Sequence, residues 1–75
     1  MERYGNRGGD SGVVGYEIGQ GSIIVAFGDG WKYLYDGTKP GAADVAKLQQ
    51  LARSGHGLNS YITRVVQGRW ARNYR

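Results

Sequence analysis

The chain has 75 residues, no cysteine, one histidine and a formal net charge of +4. That length supports one small domain, with a radius of gyration of about 11 Å and too little interior for an enclosed ligand cavity. The lack of cysteine excludes a disulfide framework and thiolate zinc.

Residues 1 to 12 mix Gly5, Gly8, Gly9 and Gly12 with Asn6, Asp10 and Ser11. With almost nothing to bury, this stretch reads as a flexible Gly-rich arm, and the folded domain runs over residues 13–75. Val13 to Ile18 and Ser22 to Phe27 are short runs rich in β-branched residues, separated by Gly19-Gln20-Gly21 as a tight hairpin would require. Asp29-Gly30 makes a second turn before Trp31-Lys32-Tyr33-Leu34-Tyr35, and Asp36-Gly37 ends that third strand. A two-residue loop would set Ala26 opposite Tyr33, whereas a three-residue loop with a glycine bulge would set Val25 there. In either register Trp31, Tyr33 and Tyr35 share a face, because side chains alternate along a strand. From Ala42 to Arg53, Val45, Leu48, Leu51 and Ala52 recur at helical spacing, with Asp44 in the first turn and Arg53 in the last. Gly55 suits the left-handed residue that ends a helix. A second helix follows, with Leu58, Tyr61, Ile62, Val65 and Val66 at i, i+3, i+4, i+7 and i+8, and Gly68 at its end. The tail from Arg69 to Arg75 fits a short strand, a helical turn or an arm. The expected fold is α+β: a three-stranded antiparallel meander covered by two short helices, behind a flexible N-terminal arm.

Charge is segregated along the chain. Residues 46 to 75 hold Lys47, Arg53, Arg64, Arg69, Arg72 and Arg75 with no acid and sum to +6, while residues 1 to 45 sum to −2. Five of those six cations are arginines, whose planar fork matches phosphate oxygens, interleaved with Tyr61, Trp70 and Tyr74 as faces for stacking. A phosphate-bearing partner is the reading this pattern favours over a merely solvated basic surface.

No catalytic constellation stands out. His56 lies in a glycine-flanked loop without metal-ligand spacing, and Ser54 and Ser60 lack a group to orient an imidazole, so both serines read as helix caps. The loop from Ser54 to Asn59 offers backbone amides beside a helix, either an anion site shared with Arg53 or Arg64 or a plain turn. Tyr33 and Tyr35 fit either a base-stacking platform or the core beneath the helices, and the need to cover one sheet face favours the core. No run nears the 18 apolar residues of a membrane span, and the N-terminal residues lack an apolar leader core, so the expected location is the cytoplasm.

Val25, Phe27, Gly30 and Tyr33-Leu34-Tyr35, followed by a short helix and the run from Leu51 to Ile62, resemble the KTSC domain. That family is a short module found at the C-terminus of some lysyl-tRNA synthetases and as stand-alone bacterial and phage proteins. Tyr33 and Tyr35 match its Tyr-x-Tyr hallmark, and the small-residue loop, Asn59 and Ile62 match its second motif. The likeness covers about Val13 to Trp70; the loop is a residue shorter here, with Leu58 where the family usually has an aromatic. The attachment to a tRNA enzyme implies RNA binding by analogy.

The expected function is non-catalytic capture of a nucleotide or nucleic acid, with no cofactor and no metal. Candidate ligand-binding residues are Tyr33, Tyr35, Arg53, His56, Asn59, Arg64, Arg69, Trp70 and Arg72. A first alternative is a phage-type sponge, a homo-oligomer sequestering a nucleotide signalling molecule at its subunit interface. A second is a structural or protein-interaction module without ligand. A homo-oligomer is expected because Ile23, Val25 and Phe27 point to one side of the sheet and Ile24 and Ala26 to the other.

Overall fold

A computed structural model describes residues 1–5 and 12–75. Its framework is one antiparallel sheet whose strands β1 (Glu2–Arg3), β2 (Val13–Gly19), β3 (Ser22–Phe27), β4 (Lys32–Asp36) and β5 (Arg72–Tyr74) lie side by side in chain order. Helix α1 (Ala42–Ser54) and helix α2 (Leu58–Tyr61) fall between β4 and β5, and α2 runs directly into a π-helical turn, Ile62–Val66.

The fold is therefore α+β, but the expected three-stranded meander is wrong: the sheet has five strands. Both additions are edge strands of two and three residues, supplied by segments read as an arm and as a tail of open conformation. Glu2 pairs with Tyr16 and Arg3 with Gly15, so the start of the expected flexible arm is part of the sheet. Tyr4 follows into the core, 4% exposed, where its hydroxyl accepts the Leu58 backbone N–H at 3.1 Å. The stretch 6–11 of that arm lies outside the described residues.

Register is settled by the Asp29-Gly30 turn. The Phe27 N–H donates to the Trp31 carbonyl at 2.9 Å, and the Gly30 N–H donates back to the Phe27 carbonyl at 3.0 Å, closing a three-residue loop. Gly30 takes φ +95°, a conformation a side chain would strain, and Val25 falls opposite Tyr33. Between Val13 and Gly15 the ladder with β3 shifts at a bulge, which leaves Val14 exposed.

The alternation that follows divides the sheet into two faces. Ile23, Val25 and Tyr35 turn to the helices and are at most 1% exposed, joined by Val45, Leu48 and Ala52 of α1 and by Leu58, Ile62 and Val66. Helix α1 is also pinned from its side, since Gln49 Nε2 donates to the carbonyls of Ser22 at 2.8 Å and Gly19 at 3.1 Å across the β2–β3 turn. At its end the Gly55 N–H bonds the carbonyls of Leu51 and Ala52, the left-handed terminus expected there.

The second helical segment departs from the expected stripe. The Gln67 N–H donates to the Ile62 carbonyl, an i→i+5 bond that widens the last turn. Leu58, Ile62 and Val66 are buried at even spacing of four, whereas Val65, expected in the core, is 42% exposed. Helical structure ends at Val66 rather than at Gly68, with Gln67 at φ 46°.

Candidate functional site

Two elements converge on an open groove on the helical side. Lys47 and Leu51, one turn apart on α1, form one wall; Ser60, Tyr61, Arg64 and Val65 of the second helical segment form the other, and Gly57 lies between them. The groove holds about 300 Å³, at the lower end of ligand-site volumes. Leu51, the Tyr61 ring and Val65 make its surface apolar, while Lys47 and Arg64 supply two cations and no lining residue is acidic. Gly57 has φ +84° between the two helices, a conformation that keeps a side chain out of this junction.

The Tyr61 ring is fixed from below. Its hydroxyl donates to Asp44 Oδ1 at 2.7 Å, and that bond, with burial second, raises the phenol above its ordinary pKa. Arg69 meets the other oxygen of Asp44 at 3.5 Å, the only ion pair among the described residues, and donates to the Val65 carbonyl at 2.8 Å. Asp44 is thus engaged by two neighbours, which leaves Lys47 and Arg64 without a carboxylate partner among the described residues. Arg69 acts as a strut that ties the chain after the π turn to α1.

Of the residues singled out from sequence, Arg64 alone lines this groove. Tyr35 is 1% exposed and belongs to the core, where burial and, secondarily, its neighbour Tyr33 push the phenol up to about 12. Tyr33 is half-buried between Phe27, edge-on at 5.4 Å, and Trp70, tilted at 4.8 Å. This aromatic trio covers the sheet where the helices end, so Trp70 is a lid on Tyr33. Arg53 borders a separate depression of about 450 Å³ with Met1, Glu2, Tyr16, Glu17 and Ile18. His56 is exposed in the turn between the helices; Asn59 is half-buried, its carbonyl accepting the Thr63 hydroxyl at 3.1 Å. Arg72 lies on β5 opposite Leu34, on the sheet face turned away from the helices, with its guanidinium 5.7 Å from the Tyr74 ring. The nine positions are therefore dispersed over core, helical side and outer face.

Lys47 and Tyr61 stand among the cations and stacking faces noted in the sequence but not among the candidate ligand-binding residues, while Leu51 and Val65 fit the expected apolar helix stripes. The joint signal for the groove is a cation on each helical segment, Lys47 and Arg64, placed one turn from Leu51 and three residues from Tyr61. Ser54, expected as a helix cap, donates its hydroxyl to the Leu51 carbonyl at 2.8 Å at the end of its own helix. Among the described residues no His, Cys, Asp or Glu cluster is disposed to hold a metal, and no helix is long and apolar enough to cross a membrane. No family model, curated protein or solved structure matches the chain.

Proposed function

We propose that this protein binds single-stranded nucleic acid without chemical turnover, taking one base into the α1–α2 groove and the flanking phosphates on Lys47 and Arg64. The observation that carries the reading is the make-up of the groove: an apolar floor with an anchored aromatic ring, rimmed by two cations that lack carboxylate partners among the described residues. An aromatic face with aliphatic walls accepts any base by stacking, and a fork of guanidinium donors matches phosphate oxygens. The groove is a surface depression and not an enclosed cavity, which suits a segment of a longer strand as well as a single nucleotide. Its polar groups are one serine hydroxyl, a phenol already bonded to Asp44 and two cations, which suit positioning and charge rather than bond cleavage.

Fluorescence anisotropy with a labelled single-stranded oligonucleotide tests this. Arg64→Gln and Lys47→Gln should each weaken binding by about tenfold, the loss of one charge-assisted contact. Arg64→Lys should also weaken it, because charge stays while the fork is lost. Arg53→Gln removes the same charge elsewhere and should change affinity little. Equal losses at Arg53 and Arg64 would reduce the groove to part of a diffuse basic surface. Binding of a mononucleotide that responds weakly to salt, in place of the steep response of an extended strand, would instead favour a small-nucleotide pocket.

A further inference from the structure

We propose that the sheet face turned away from the helices is the interface of a two-fold dimer with a second copy of this chain. The pairing register places two rows of side chains across that face. One row reads Glu17, Ile24, Leu34 and Arg72, on β2, β3, β4 and β5 in turn; the other reads Arg3, Gly15, Ala26, Lys32 and Tyr74, from β1 to β5. No helix covers these positions, and Ile24 and Leu34 remain partly exposed at the centre of the first row.

That first row is self-complementary, with an acid at one end, a base at the other and two aliphatic side chains between. A two-fold axis parallel to the strands, passing between Ile24 and Leu34, packs Ile24 of each copy against Leu34 of the other. The same rotation sets Glu17 of each copy opposite the partner's Arg72. Neither Glu17 nor Arg72 has an ion-pair partner within the chain among the described residues, and Arg72 is held on this face by its contact with Tyr74. In the second row the rotation brings Tyr74 over Gly15, against the Met1 side chain that lies there. A Cβ at Gly15 would lie 3.3 Å from the Met1 sulfur, so that thioether borders the same spot and offers the ring a favourable contact. The two edges of the sheet discourage association by strand addition, since β1 has two residues and β5 three, each carrying an arginine. Face-to-face packing is what the sheet leaves open. The groove on the helical side lies on the opposite face of the sheet and stays open in this packing.

Light scattering or sedimentation equilibrium across the micromolar range tests the proposal. The mass of the wild type should rise with concentration toward twice 8.2 kDa. Glu17→Arg and Arg72→Glu should each hold it at the monomer value, and the double reversal E17R/R72E should restore the dimer. A wild type that stays at 8.2 kDa up to about 1 mM would overturn the proposal, as would single reversals without effect or a double reversal that fails to recover the mass. An independent reading comes from E17C/R72C. Within one chain these positions are three strands apart, roughly 14 Å, too far for a disulfide, so oxidation should give a covalent dimer. Free thiols and monomer after oxidation would refute the two-fold packing.

Discussion

Truncating the neighbours Val65 and Val66 to alanine tests the π-helical turn directly. Val66 is fully buried against α1 and the sheet, and Val66→Ala removes two methyl groups from that environment. At about 0.8 kcal/mol per buried carbon the transfer loss is about 1.6 kcal/mol, and incomplete collapse around the vacancy raises it to about 2.5 kcal/mol. Val65 stands 42% exposed on the groove wall, so Val65→Ala loses less burial and recovers part of it through alanine's better helix propensity. Its net effect should lie within about 0.5 kcal/mol of zero. Urea unfolding followed by tryptophan fluorescence reads both, since Trp70 packs on Tyr33 and leaves it on unfolding. With an m-value of about 1 kcal/mol/M for a domain this small, the two midpoints should differ by roughly 2 to 3 M at unchanged m. A regular 3.6-residue helix running on from Leu58 would turn Val65 inward. Equal shifts, or a larger one for Val65→Ala, would show that the widened turn does not exist and that the groove loses its exposed apolar wall.

Two further outcomes follow from the tyrosines. Tyr4→Phe should destabilise by about 1 to 3 kcal/mol, because the Leu58 N–H loses its acceptor in a buried setting, and that amide should exchange faster; an unchanged midpoint would mean the N-terminal strand is not docked. Tyr35 carries the pH prediction. Its folded pKa of about 12 exceeds the unfolded 10.0, so the native state holds the phenolic proton more tightly; stability is complete below pH 10 and falls as pH rises through 12. The loss amounts to about 2 to 3 kcal/mol, and Tyr35→Phe should flatten that part of the alkaline unfolding profile, whereas a variant with the wild-type slope would refute the assignment.

The parts legible in the sequence are those encoded by contiguous runs. Strands β2, β3 and β4 announce themselves by β-branched residues between glycine turns, and α1 by Val45, Leu48 and Ala52. Strands β1 and β5 were hidden because a two- or three-residue edge strand has no periodicity to read, and what holds them is pairing with a distant partner. Tyr4 illustrates this, as its reason for being buried is the Leu58 amide 54 positions away. The β3–β4 register has two solutions in the sequence, because a glycine at position 30 suits either loop length, and only the closure of Phe27 on Trp31 selects the three-residue loop. The groove failed to appear for a different reason: a helical stripe presupposes 3.6 residues per turn, and one i→i+5 bond at Gln67 is enough to move Val65 out and Val66 in. Charge segregation did point to the helical side through Arg64, yet it could not separate that residue from Arg53 and Arg72, which the fold sends to other surfaces.

The placement of β5 gives the molecule an order of assembly. Strands β2, β3 and β4 join through short turns and can zip locally, but β5 returns to β4 only after the chain has run through both helices. Closing a loop of that length costs about 3 kcal/mol in chain entropy, which three pairs of edge residues do not offset alone. The pairing of Leu34 with Arg72, Tyr33 with Asn73 and Lys32 with Tyr74 therefore depends on the helices having docked first. On this entropy cost the C-terminal strand should close after β2, β3 and β4 and open before them, drawing Trp70 off Tyr33 and baring the hydrogen-bonding edge of β4.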